Sequence, residues 1–355
     1  MTDQTAAYAM HTIPGFCSST PGIQVGSKLA SDASAEDMQF LKQMGVEWVT
    51  SWVSDPADNT AEGYKALVRR FASEGFKVYR IQNPRAQNVP EIILGLPGRD
   101  ERIEEFLAYV RNLGEAGVYH ATYAHQANGI WRTGREAVRG GAMHSAFRLE
   151  QAGSGSWGGR SWEGEYTHGR AYSEDELWDA YAYFIERVVP VAEEAGVYIG
   201  VHPDDPPVYP LGGVPRCIFG SYSGFQRAVD MADSPNVGMS LCVGSWLEGG
   251  EATGADAVEA IRTFGGMGKL FHIHFRNITA PLPEGFVETF PDDGYMNMYK
   301  IMKAFGESGF NGIVVPDHVP RCGGSEAGPK AGEAYIFGYI RAMIQAVETE
   351  LGQSA

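Results

Sequence analysis

The sequence predicts an α/β protein closed into a single (β/α)8 TIM barrel. Three observations carry this: short apolar runs alternate with amphipathic helical stretches, the alternation occurs eight times, and glycines stand where helix returns to strand. The expected strands are residues 9–15, 46–52, 77–83, 118–124, 197–202, 237–242, 270–274 and 312–316. Most are uninterrupted apolar runs, as strands covered on both faces should be. Residues 35–43, 100–113, 173–195 and 295–305 read as helices between them. Gly45, Gly75, Gly117 and Gly196 each precede an expected strand, where a helix C-cap needs positive φ. Residues 126–172 break the rhythm with glycine, serine and aromatic residues and read as a long loop after the fourth strand, placed to act as a lid. Gly153, Gly155 and Gly158 almost spell a dinucleotide motif, but they do not join a strand to a helix.

Composition narrows the function. A chain of 355 residues, 44% hydrophobic, suits one barrel domain over 1–355. A net charge of −16 excludes phosphate-backbone recognition, which needs clustered Lys and Arg, and points to a small-molecule substrate. The start MTDQTAAYAM lacks the pattern of a signal peptide, and no run approaches the roughly 18 apolar residues of a membrane helix, so the expectation is a cytoplasmic protein that does not enter a membrane. Cys17, Cys217, Cys242 and Cys322 are too scattered for a disulfide scaffold.

In a barrel of this kind, polar residues at the C-terminal strand ends meet at one mouth. The fifth strand ends in His202, the sixth in Cys242, the seventh in His274, and the eighth runs into Asp317-His318. Two imidazoles, a thiolate and a carboxylate suit Mn²⁺, Fe²⁺, Co²⁺ or Zn²⁺ better than the all-oxygen preference of Ca²⁺ or Mg²⁺. Strand parity puts His272 and His274 on one face, with His274 nearer the mouth, leaving His272 as an inner or orienting residue. Asp204 and Asp205 are clamped by Pro203, Pro206 and Pro207, placed to bond His202 or a sugar hydroxyl, or simply to start the turn.

These residues resemble the mannonate dehydratase family of xylose-isomerase-like metal barrels. The resemblance runs over roughly residues 90–345 through Leu94-Gly-Leu-Pro-Gly-Arg-Asp100, Arg187-Val-Val-Pro, His202-Pro-Asp-Asp-Pro-Pro207, Leu241-Cys-Val-Gly244, His274-Phe-Arg-Asn277 and Pro316-Asp-His318. It implies His202, Cys242, His274 and Asp317 as ligands of Mn²⁺ or a similar ion. It also implies a hydro-lyase that takes D-mannonate or a related aldonate to a 2-keto-3-deoxy acid by removing the C2 proton and the C3 hydroxyl. Tyr335 and His318 are then the acid and base candidates, with Arg276 steadying the carboxylate. Asp204, Asp205, Asn277, Arg132 and His125 complete the expected substrate contacts, and association into a homo-oligomer is expected.

The chain departs from the family pattern at the mouth. Pro291-Asp292-Asp293-Gly294 lacks an expected histidine, Val315 stands where an arginine is expected, and Ala124-His125-Gln126 and Gly15-Phe16-Cys17 replace two further motifs. The competing chemistry is an isomerase, epimerase or lyase acting on a neutral or modified sugar at the same metal. Arg80, Arg132 or Arg276 directed at the ion would favour an acid substrate instead.

Overall fold

A computed structural model describes residues 22–320, 322–323 and 328–352. Eight parallel strands form one sheet: β1 (Ile23–Lys28), β2 (Trp48–Ser51), β3 (Lys77–Ile81), β4 (His120–Ala124), β9 (Tyr198–His202), β10 (Val237–Cys242), β11 (Leu270–Phe275) and β14 (Gly312–Pro316). Their order around the sheet is β3-β2-β1-β14-β11-β10-β9-β4. The seam between β3 and β4 is joined by side chains: Arg80 bonds the Thr122 hydroxyl, and Tyr79 stacks on His120 with centroids 4.7 Å apart.

The expected strand at residues 9–15 lies outside the described residues, and the first place in the barrel belongs to β1. That run, IQVGSK, carries Gly26, Ser27 and a terminal Lys28, so it lacks a continuous apolar signature. Gly26 is needed there, because a Cβ would stand 2.3 Å from Ile313 Cγ2. The other seven expected strands fall on barrel strands, with ends displaced by up to two residues.

Helices α1 (Ala35–Gln43), α2 (Ala61–Ser73), α3 (Pro90–Ile93), α4 (Arg99–Glu115), α5 (Glu174–Ala195), α6 (Tyr222–Ala232), α7 (Val243–Gly249), α8 (Ala257–Gly266), α9 (Met298–Glu307) and α10 (Gly328–Glu350) link and surround the strands. Helix α5 shows how the sequence sets them. Ser173 and Glu176 form a reciprocal capping box at its start, and Gly196 ends it at φ 65°. Between these stops, Leu177, Trp178, Tyr181, Phe184, Ile185 and Val188 bury one face, each contributing roughly 1.5–3 kcal/mol. A second, smaller apolar cluster holds strand residues only: Trp48, Tyr79, Phe271, Ile313 and Val315. It packs the barrel interior, and Val315 is spent on that packing.

Residues 126–172 are not the irregular loop expected from their composition. They contain β5 (Gly134–Ala137), β6 (Met143–Phe147), β7 (Ser154–Trp157) and β8 (Arg160–Glu163). Strands β7 and β8 pair as a hairpin whose two turn residues, Gly158 and Gly159, both have positive φ (57° and 81°), which matches the strand twist. Strand β6 pairs with β5 on one edge and with β13 (Phe286–Thr289) on the other, and β13 in turn pairs with β12 (Asn277–Ile278). The insertion is thereby tied to the segment that follows β11. Among the described residues, no helix is long and apolar enough to cross a membrane.

Candidate metal centre and its charged surround

Parallel register brings the strand ends together. Cys242 stands opposite His274 on neighbouring strands, His202 ends β9, and Asp317 follows β14 directly. One ligating atom each of His202, Cys242 and His274 lie within 4.8 Å of one another, and all three residues are buried. Asp317 Oδ2 is 3.8 Å from Cys242 Sγ and 3.8 Å from His274 Nδ1.

Both imidazoles are in the neutral form that ligation needs. His202 Nδ1 lies 2.6 Å from the Pro203 carbonyl, which can only accept, so Nδ1 carries the proton and Nε2 is left as the donor atom. Neither ring nitrogen of His274 has a hydrogen-bond partner. Burial lowers the pKa of His202, and pushes His274 well below its ordinary value, keeping both imidazoles neutral. Burial pushes the Cys242 thiol up, with Arg276 opposing. Burial also works against ionisation of Asp317, but the charges around it, Lys28 and Arg276 among them, outweigh it and hold the carboxyl well below the usual range. A buried imidazole with both nitrogens unpartnered, beside a thiol and a carboxylate, fits a borderline divalent ion.

Behind this cluster lies a buried charge network. Arg276 Nη2 sits 3.2 Å from Cys242 Sγ, 3.0 Å from Asp205 Oδ2 and 3.0 Å from Ser245 Oγ. Its Nη1 donates to Glu248 at 2.7 Å and to Glu288 at 2.8 Å. Arg132 reaches the same acids, at 2.5 Å from Asp205, 2.6 Å from Glu288 and 3.1 Å from Glu248. Their charges are met by protein carboxylates, which corrects the expectation that Arg276 and Arg132 face a substrate. Asp205 is likewise occupied: burial opposes its ionisation, but Arg132 and Arg276 prevail and hold its pKa low. Glu248 is the reverse case, where burial and the neighbouring Asp205 drive its pKa well above the ordinary value.

The remaining expected contacts are placed as follows. Asn277 is spent on the fold, donating to the Pro291 and Met296 carbonyls and accepting from the Ile278 amide. His125 bonds the Tyr123 hydroxyl at 2.6 Å among Tyr181, Phe184 and Phe219, and burial lowers its pKa to about 3. Tyr335 stands apart on α10, 41% exposed, with its ring edge-on to Phe290 and its hydroxyl near Asp292 and Arg139. Asp292, in the departing run of residues 291–294, and the neighbouring Phe290 are engaged with Arg139.

His318 is well placed. Its Nε2 is 3.8 Å from Asp317 Oδ2, its Nδ1 is 2.7 Å from Glu288 Oε1, and its ring faces Trp157 of the insertion at 4.5 Å. Sequence reasoning missed Lys28, whose Nζ lies 3.2 Å from Asp317 Oδ1, along with Glu248, Glu288 and His144. Lys28 closes β1, at residues where no strand is expected from the sequence. Nothing in the spacing of Glu288 marks it.

Asp204 is buried, and burial raises its pKa to about 6. A carboxyl whose folded pKa lies above its unfolded 3.8 contributes stability that is present below pH 4 and lost as pH rises through about 6. Asp204→Asn is therefore expected to raise the melting temperature at pH 8 and change little at pH 4. An equal shift at both values would show that burial does not govern this carboxyl.

The family model for D-mannonate dehydratase (UxuA) matches residues 162–353, more than half of the chain. The chain is 31% identical over 317 residues to mannonate dehydratase 2 of Halalkalibacterium halodurans, covering 83% of this chain and 90% of that one. The chain belongs to the mannonate dehydratase family. Another mannonate dehydratase relative, from Thermotoga neapolitana, is 32% identical over 288 residues, covering 71% of this chain and 78% of its own. The solved mannonate dehydratase of Streptococcus suis serotype 2 superposes with a TM-score of 0.79 at 24% identity, covering 93% and 96% of the two chains. An L-ribulose 3-epimerase superposes with a TM-score of 0.59 at 13% identity over 94% and 99%, which shows a shared xylose-isomerase-like barrel and nothing more.

Proposed function

We propose that this member of the mannonate dehydratase family is a metal-dependent hydro-lyase that converts D-mannonate, or a closely related aldonate, to its 2-keto-3-deoxy acid. The observation that carries the reading is the buried set of His202, Cys242 and His274, with Asp317 beside it, in a chain whose relatives are mannonate dehydratases. These four residues would hold the ion, with Mn²⁺ the leading candidate. When bound, the ion supplies Lewis-acid polarisation of the substrate's carboxylate and adjacent hydroxyl.

The chain's own residues do the rest. His318 is assigned to proton exchange with the substrate through Nε2, in preference to Tyr335, because its ring borders Asp317 while Tyr335 faces outward beside Arg139. Lys28 is the half-exposed cation at the mouth, with 45% of its side chain accessible, and it favours an acidic over a neutral substrate. Trp157 of the insertion lies over the His318 ring, which supports the lid reading. The same reading takes the enzyme to act in the cytosol as a homo-oligomer, with light scattering on the purified chain reporting its size.

The test is an assay of chelator-stripped protein given back Mn²⁺, with D-mannonate and, in parallel, D-mannose and D-fructose. Expected is metal-dependent formation of 2-keto-3-deoxy acid from mannonate and no change in the neutral sugars. Isomerised neutral sugar with mannonate untouched would replace the dehydratase by a sugar isomerase.

A further inference from the structure

His318 is held in a conformation its sequence does not favour. Its φ is 44°, in the left-handed region that a residue with a Cβ seldom adopts, so surrounding contacts must fix it. Three do, from three directions. His144 of β6 approaches with Nε2 toward the His318 carbonyl, which can only accept, so that Nε2 carries a proton. Trp157 covers the ring, with planes inclined by 39°. Glu288 of β13 places Oε1 2.7 Å from His318 Nδ1, while its Oε2 lies 3.1 Å from His144 Nδ1. Two of these groups come from the insertion, and the third comes from the strand that pairs with it.

The carboxylate of Glu288 is itself fully buried and anchored. Its Oε1 also receives Arg132 Nη2 at 2.6 Å and Arg276 Nη1 at 2.8 Å. A buried, arginine-bound carboxylate accepts and does not donate, so the proton between it and His318 sits on Nδ1. The other nitrogen, Nε2, then stands on the side of Asp317 with its lone pair available.

We propose that Glu288 is a positioning residue for His318, fixing the Nδ1–H tautomer and turning Nε2 to the metal-binding side of the mouth. The inference rests on the reading in which His318 exchanges a proton with the substrate, but its tautomer is measurable without one. A purely structural Glu288 would serve only to balance the charge of Arg132 and Arg276.

Two variants separate these roles. Glu288→Gln keeps an acceptor at the right distance and loses the charge, whereas Glu288→Asp keeps the charge and withdraws it from Nδ1 by about one methylene. Nitrogen NMR of the full metal-free chain labelled on histidine reads the tautomer directly. Expected is Nδ1–H for His318 in the parent and in Glu288→Gln, and a mixture in Glu288→Asp. In the Mn²⁺-loaded chain with D-mannonate, kcat should fall about 100-fold in Glu288→Asp, with KM within about threefold, and should fall much less in Glu288→Gln. In a His318→Gln background, Glu288→Asp should add nothing. An unchanged tautomer in Glu288→Asp, or a Glu288→Gln variant that loses more kcat than Glu288→Asp, would overturn the proposal in favour of charge balance. If the parent chain does not turn over mannonate, the substrate reading falls, and the NMR comparison still decides the role of Glu288.

Discussion

Arg276→Met is expected to destabilise the fold by about 3–5 kcal/mol, the cost of breaking a buried ion pair from one side. The guanidinium is 1% exposed and touches Asp205, Glu248 and Glu288, with Nε 3.4 Å from Asp317. Methionine fills similar volume but leaves ionised Asp205, Glu288 and Asp317 facing one another without their shared cation. Arg132 reaches Asp205 and Glu288 but has no ion pair with Asp317, so it cannot replace Arg276. Arg276→Lys should recover only part of the loss, since one ammonium cannot span acids lying on both sides of a planar fork. Urea melts of the three proteins check this. A methionine variant within about 1 kcal/mol of the parent would mean that the acids of this network are neutral in the folded chain.

Cys242→Ala is expected to act on the ion and not on the fold. The side chain is fully buried at the junction of β10 and α7, where alanine fits, and the bonds lost at Sγ, from the Ser245 amide at 3.4 Å and Arg276 Nη2 at 3.2 Å, are to a weak acceptor. Stoichiometric metal should disappear on dialysis. Turnover of mannonate should fall by more than about 100-fold, since loss of even an outer partner of a ligand costs 10- to 100-fold. Elemental analysis and the product assay on one preparation read both. Full metal content with unchanged turnover would remove the thiolate from the ligand set.

The ring of strands was legible because buried parallel strands are written as apolar runs, and residues 237–242 and 312–316 need no partner to be recognised. That His202, Cys242, His274 and Asp317 meet at one mouth was legible for a related reason, since a polar residue ending such a run has one place to go. Residues 23–28 were missed because a strand that must pass a glycine against Ile313 and finish on a lysine shows neither alternation nor a continuous run. The insertion was misread on composition, although Ser-Gly-Ser-Trp, Gly-Gly and Arg-Ser-Trp-Glu spell a hairpin with a two-glycine turn once the glycines are read as conformation. The roles of Arg276 and Arg132 were not legible at all. Whether a buried arginine meets a substrate or Asp205, Glu248 and Glu288 depends on which acids the fold brings behind it, and those come from three separate segments.

The four proposed ligands all come from adjacent staves of the barrel, in the order β9, β10, β11 and β14. Of the opposite staves, β1 brings Lys28 beside Asp317. One wall therefore carries the proposed ligands, and the other touches them through Lys28. Residues exchanged on β2 to β4 would thus reshape the mouth while leaving the four proposed ligands on their own strands.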